Sequence, residues 1–173
     1  VEFLLAAPLE VVESEPRAER LPADAAAGFS GINGSSQAMT RSGRAARYRV
    51  QLAPGSAQFA LHYKGRIDFG FETPGQEYAR GFNETAGVIK EDGVYLAGST
   101  LWYPYLGDTL FTFELTAQSP EGWQLISPGN GTARDAAGKT HWRSDAPLDE
   151  LHIVGGPLTR YARAAGAVTA EVY

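Results

Sequence analysis

Gly87–Pro104, reading GVIKEDGVYLAGSTLWYP, decides the fold class of this chain. Val88 and Ile89 come before a Glu91-Asp92-Gly93 turn, and Val94, Tyr95 and Leu96 come after it. Two short apolar runs separated by acidic residues and a glycine read as an antiparallel hairpin. The second strand is predicted to deliver Trp102 and Tyr103, as an aromatic cluster, against a stop at Pro104.

The same grammar extends on both sides. Tyr48, Val50 and Leu52 alternate with Arg49 and Gln51, and Phe59, Leu61 and Tyr63 alternate with Ala60, His62 and Lys64. Period-2 alternation marks a strand with one buried face. These two runs are predicted to pair as a hairpin around Pro54-Gly55, with Gly65 bending or bulging its second strand. Ile67, Phe69 and Phe71 continue beyond it, and Glu72–Phe82 reads as a polar connection.

Downstream, Leu106-Gly107-Asp108 turns the chain into a run where Phe111, Phe113 and Leu115 alternate with Thr112, Glu114 and Thr116. Pro120-Glu121-Gly122 leads to a strand at Trp123, Leu125 and Ile126. Thr140, Trp142 and Ser144 form another, and Leu151, Ile153 and Val154 a further one. Leu158–Tyr173 is predicted to be a hairpin around Ala165-Gly166 with Val168, Ala170 and Val172 on one face.

The N-terminal third is less regular. Pro8 interrupts the apolar Val1–Val12, which predicts two short strands or an edge strand, since proline removes a ladder donor. Ala23–Ala27 after Pro22 offers one helical turn, and the Gly/Ser-rich Gly28–Gly43 reads as a mobile loop. Short strands with glycine and proline turns between them predict an all-β fold, an antiparallel sandwich or saddle-like domain. Residues 1–173 are read as one domain, with 13–46 as a loop-rich insertion.

The 173 residues are enough to bury a core without disulfides or metal. A net charge of -5 argues against a nucleic-acid partner, whose phosphates favour a basic face. No apolar run approaches the ~20 residues that a helical membrane span needs. The absence of cysteine removes thiolate catalysis and Cys-ligated zinc, and leaves the compartment open. Val1-Glu2-Phe3 reads as the inside of a strand, so the chain is expected to belong to a longer protein with any export signal cut away. Sequons stand at Asn33, Asn83 and Asn130.

No catalytic constellation stands out. His62, His141 and His152 lie on separate strand-like runs, in no HExxH, and read as structural or surface residues. The sequence has no Gly-x-Ser-x-Gly elbow and no GxGxxG. Glu91, Asp92, Asp145, Asp149 and Glu150 fall at turns or strand ends, where acidic residues serve turn geometry. Trp102, Tyr103, Tyr105, Trp123 and Trp142 are candidates for a sugar-binding face, but core packing is the stronger expectation.

In order and spacing, GVIKEDGVYLAGSTLWYP, LFTFELTAQSPEGWQLISPGN and ELHIVGGPLTRYARAAGAVTAEVY resemble the N-terminal β-domain of bacterial M1-family (gluzincin) metallo-aminopeptidases. Tyr103-Pro104 matches the family's aromatic-proline step, Pro120–Trp123 its P-x-G-W, and Ser127–Gly129 its SPG; the match covers roughly 47–173. The resemblance implies a non-catalytic β-saddle that packs on the zinc catalytic domain of the same parent chain, shapes access to it and is inert alone. It places the zinc in that second domain and assigns no catalytic, cofactor or metal residue here. Family domains grip the substrate amine with a Gln or Glu whose offset falls near Gly93, and the family's arginine and its acidic residue after the proline are likewise absent. The interface is expected to be apolar and able to self-associate. The alternatives are a free-standing β-sandwich that binds carbohydrate or protein, and a small hydrolase.

Overall fold

The computed structural model describes residues 1–31, 34–71 and 84–173. Among these the fold is all-β and sandwich-like, built of small antiparallel sheets. The strands in chain order are β1 Glu2–Ala6, β2 Glu10–Glu15, β3 Ala18–Arg20, β4 Ala45–Val50, β5 Ala60–Lys64, β6 Val88–Lys90, β7 Gly93–Leu96 and β8 Phe111–Gln118. They continue with β9 Gln124–Ile126, β10 Asn130–Gly131, β11 Lys139–Leu148, β12 Ile153–Gly156, β13 Tyr161–Ala165 and β14 Val168–Val172. The sheet orders are β1-β4-β3, β2-β5, β6-β7-β12-β9, β10-β11-β8 and the ribbon β13-β14.

Pro8 does separate a pair of strands, and β1 stands at the end of the β1-β4-β3 sheet, but its outer side is covered by non-strand chain around Leu101 and Tyr105. Phe3, Leu4, Leu5 and Ala6 are fully buried. β4 pairs along one side of β1, and on the other Leu4 and Tyr105 exchange two backbone hydrogen bonds of 3.0 Å. Uninterrupted apolarity, as opposed to alternation, is what a strand covered on both faces requires. Phe3 stacks on Tyr48 and Phe59 with ring centroids 5.4 and 5.6 Å apart. Burying side chains of this size stabilises the fold by about 1.5–3 kcal/mol each.

The expected hairpin of β4 with β5 does not form. β4 pairs with β1 and β3, and β5 pairs with β2. The burial pattern of each strand follows its alternation, yet alternation is silent about the partner. Ala45, Ala46, Tyr48 and Val50 are all buried, so β4 takes an interior position that a two-stranded hairpin cannot provide.

The described residues of 13–46 carry regular elements too. The predicted turn is a 3₁₀ helix, Ala23–Gly28, and Gly34–Arg41 is an α-helix, α1, where a loop was expected. Ser36, Met39 and Thr40 on α1 are buried at helical spacing. Two of those three are polar, which hides the apolar stripe that normally reveals a surface helix. Arg47 fastens this region by donating to the Ala25 carbonyl (3.0 Å) and to the Glu2 carboxylate, with its guanidinium 5.3 Å from the Phe29 ring centroid. The polar connection expected at 72–82 and the sequons at Asn33 and Asn83 lie outside the described residues.

The later predictions hold more closely. β6 and β7 form the hairpin around Glu91-Asp92, and β8 alternates along its full length. β11 is longer than expected, and its ladder with β8 breaks between Ser144 and Leu148, where Pro147 cannot donate. One contiguous core joins β1, β4, α1, Ile67, β7, Leu101, Tyr105 and Ile153, and Leu115, Trp123 and Leu125 pack against it. The β13–β14 ribbon lies outside that core.

Candidate functional site

The aromatic cluster is carried by a corner and not by a strand. β7 ends at Leu96, a 3₁₀ turn covers Gly98–Thr100, and Leu101 adopts the left-handed conformation at φ 59° while fully buried. Such a conformation is costly for a branched residue and persists where the surroundings over-determine it. Thr100 supplies some of that constraint. Its buried Oγ1 donates to the Ala86 carbonyl (2.6 Å) and accepts from the Ala97 amide (3.0 Å).

Beyond the corner the polar tips of Trp102, Tyr103 and Tyr105 are engaged. Trp102 Nε1 donates to the Leu151 carbonyl (3.2 Å), and the Tyr63 hydroxyl donates to the Trp102 carbonyl (3.0 Å). Tyr103 Oη accepts from the Leu151 amide (3.1 Å), and Tyr105 Oη donates to the Gly31 carbonyl (3.1 Å). Burial raises the Tyr103 and Tyr63 phenols above the ordinary tyrosine range. Trp142 and Tyr105 are buried, and Trp102, Tyr103 and Trp123 are half-buried. Trp102, Tyr103 and Tyr105 therefore tie distant segments together, and Trp102 and Trp123 pack against the core, as core packing predicts.

The other candidates stay apart. His62 lies 3.8 Å from Glu13 on the surface, His141 Nδ1 is 3.0 Å from Thr116 Oγ1, and His152 is 3.9 Å from Glu150. Glu91 and Asp92 form the β6–β7 turn, and Asp145 accepts from Arg143 (2.7 Å). Glu150 accepts from the Gly98 amide (3.3 Å), and Asp149 lies beside it, exposed. Among the described residues no three His, Cys, Asp or Glu side chains converge to hold a metal.

Gly93 opens a groove of about 690 Å³ floored by Gly93 and Gly155, with Phe71, Tyr95, Glu84, Lys90 and Asp92 around it. A Cβ on Gly93 would stand 3.2 Å from the Gly155 carbonyl oxygen, and one on Gly155 would meet the Gln124 carbonyl oxygen at 2.3 Å. Gly155 is therefore a packing requirement where β12 and β9 close on one another, and Gly93 is a tight fit against it from β7. A second groove of about 640 Å³ runs between β8 and the β6-β7-β12-β9 sheet, lined by Ile89, Leu96, Trp123, Leu125 and Ile153.

The feature that sequence reading undervalued is the β13–β14 ribbon. Its register pairs Tyr161 with Val172, Arg163 with Ala170, and Ala165 with Val168. Those six side chains share one face, and five of the six are apolar or aromatic. All residues of both strands are exposed, Tyr161 by 68% and Val172 by 66%. At its base Glu171 accepts from Arg160 and from the Tyr173 hydroxyl (2.8 Å), which together hold its carboxyl down at about 2. The signal was the apolar alternation on both strands combined, which becomes a face only once the register is known.

No family model matches the chain, and neither a curated protein nor a solved structure matches it. Among the described residues no helix is long and apolar enough to cross a membrane.

Proposed function

We propose that this chain is a non-catalytic β-domain of an M1-like zinc metallopeptidase, packing on the catalytic domain of the same parent chain and shaping access to its cleft. The observation that carries the reading is the apolar face of β13–β14, with Tyr161, Val168 and Val172 all exposed. A two-stranded ribbon is marginal in water unless a further surface covers its apolar side. Tyr161, Val168 and Val172 belong to the ELHIVGGPLTRYARAAGAVTAEVY segment, whose family counterpart leads into the catalytic domain. The Tyr103-Pro104 corner and the Trp123 turn that carry the resemblance are internal supports of the fold, consistent with a scaffolding role.

On this reading the zinc and its ligands belong to the partner domain, and this domain contributes surface alone. Gly93 supplies no side chain to grip a substrate amine, so any aminopeptidase specificity of the parent would arise elsewhere. Assayed by itself on amino-acid arylamides with added zinc, the chain is expected to give no turnover, and robust turnover refutes the proposal. In the parent protein Tyr161→Asp is expected to lower turnover by loosening the docked ribbon; unchanged turnover there would also count against it.

A free-standing carbohydrate-binding module is the second reading. It is favoured by Phe71 and Tyr95, 57% and 41% exposed beside the glycine-floored groove. A glycan array showing no Tyr95-dependent binding removes it.

A further inference from the structure

Asn130 stands in the sequon Asn130-Gly131-Thr132 and is also followed directly by glycine. In an Asn-Gly pair the glycine amide nitrogen meets little steric resistance in attacking the asparagine side-chain carbonyl. Strands ordinarily suppress this chemistry by tying that amide into the ladder. Here the register leaves it out. β10 is an edge strand on β11, with Asn130 opposite Arg143 and Gly131 opposite Trp142.

Paired residues in an antiparallel ladder alternate between hydrogen-bonded and non-hydrogen-bonded pairs. The Thr132 amide donates to the His141 carbonyl (2.8 Å), so Asn130–Arg143 shares the bonded parity and Gly131–Trp142 is the non-bonded pair. The Gly131 N–H therefore points to the open edge of the sheet, where no acceptor among the described residues takes it. Asn130 is exposed, and β10 has only two residues, so fraying to the geometry of attack costs little.

We propose that Asn130-Gly131 is a site of spontaneous succinimide formation in the folded protein, and that its product loosens the packing of Trp142. Gly131 nitrogen bonds to Asn130 Cγ and loses its proton, and the side-chain nitrogen leaves as ammonia. Water then opens the ring at either carbonyl, giving aspartate or isoaspartate. No oxidant or cofactor is needed.

Isoaspartate routes the main chain through the former side chain and adds a methylene between residues 130 and 131. That displaces Gly131, which packs so closely on the buried Trp142 that a Cβ there would stand 2.8 Å from the indole.

The test holds the folded chain in mildly alkaline buffer beside a sample unfolded in guanidinium. Both are then mapped by mass spectrometry with isoaspartyl methyltransferase labelling. Asn130 is expected to convert in the folded chain within a few-fold of the unfolded rate, with Trp emission moving to the red as isoaspartate accumulates. An Asn130 that stays intact when folded but converts when unfolded overturns the proposal. Asn130→Gln is expected to abolish both the label at this site and the emission drift, and a drift that persists in that variant overturns the link to Trp142. Asn130→Asp adds the charge without the methylene and is expected to leave emission unchanged; an equal shift there contradicts the backbone mechanism.

Discussion

β1 with β4 and β13 with β14 are both antiparallel pairs with a five-residue register, and they lead opposite lives. The first pair is enclosed, and Phe3, Leu4, Leu5 and Ala6 have no exposed surface. The second presents every residue to solvent. Both carry apolar side chains, so composition does not separate them. What differs is that the first pair finds its cover within this chain, from Tyr105, Leu101 and Phe59. The ribbon finds none among the described residues, which is why it is read as a surface awaiting a partner domain.

The contrast breaks most visibly under truncation. Leu5→Ala is expected to lower stability by about 2–5 kcal/mol, because the cavity it leaves is fully enclosed. Val172→Ala, a similar loss of methyl groups on the ribbon, is expected to stay within about 0.5 kcal/mol in the isolated chain. Urea midpoints at constant slope measure both, and a comparable cost at the two sites would dissolve the distinction.

The corner gives an intermediate case. Thr100→Val keeps shape but removes the hydroxyl that serves the Ala97 amide and the Ala86 carbonyl. Leaving those backbone groups unmet is expected to cost about 1–3 kcal/mol in the same unfolding experiment. A neutral result would mean that the left-handed Leu101 is held by packing alone.

The smallest effect sits at the base of the ribbon. The Glu171 carboxyl is held at about 2, below its ordinary 4.5, first by Arg160 and then by the Tyr173 hydroxyl. A depressed carboxylate contributes stability that is fully present above pH 4.5 and is lost as pH falls toward 2. The pair is solvent-exposed, so the contribution is slight and salt weakens it further. Carboxyl NMR titration of the wild type against Arg160→Gln is expected to show the Glu171 midpoint rising in the variant, and equal midpoints would sever the pair.

How legible each region was follows from the same physics. β8 and the β6–β7 hairpin were plain, because alternation and an acidic-glycine turn are local signals. β1 was legible as an apolar strand at the end of a sheet but not as fully covered, because the segment that bridges its outer side comes from residues near 105. α1 was hidden because Ser36 and Thr40, buried and polar, erase the stripe that marks a helix. The β4–β5 pairing went wrong because alternation fixes a face and says nothing of a partner. The aromatic corner was located correctly, but its hydrogen bonds to Leu151 and Gly31 span distances along the chain that no local pattern carries. The ribbon was foreseen as a hairpin with Val168, Ala170 and Val172 on one face, while the addition of Tyr161 and Ala165 to that face depended on the cross-strand register.

The central claim, that β13–β14 is a docking face, meets its most direct test in amide hydrogen exchange on the chain alone and on the parent protein containing the catalytic domain. The account predicts ribbon amides that exchange freely in the chain alone, far faster than those of β1 and β4, and become protected in the parent. Ribbon amides protected as strongly as β1 in the isolated chain, or left unprotected in both samples, would contradict it.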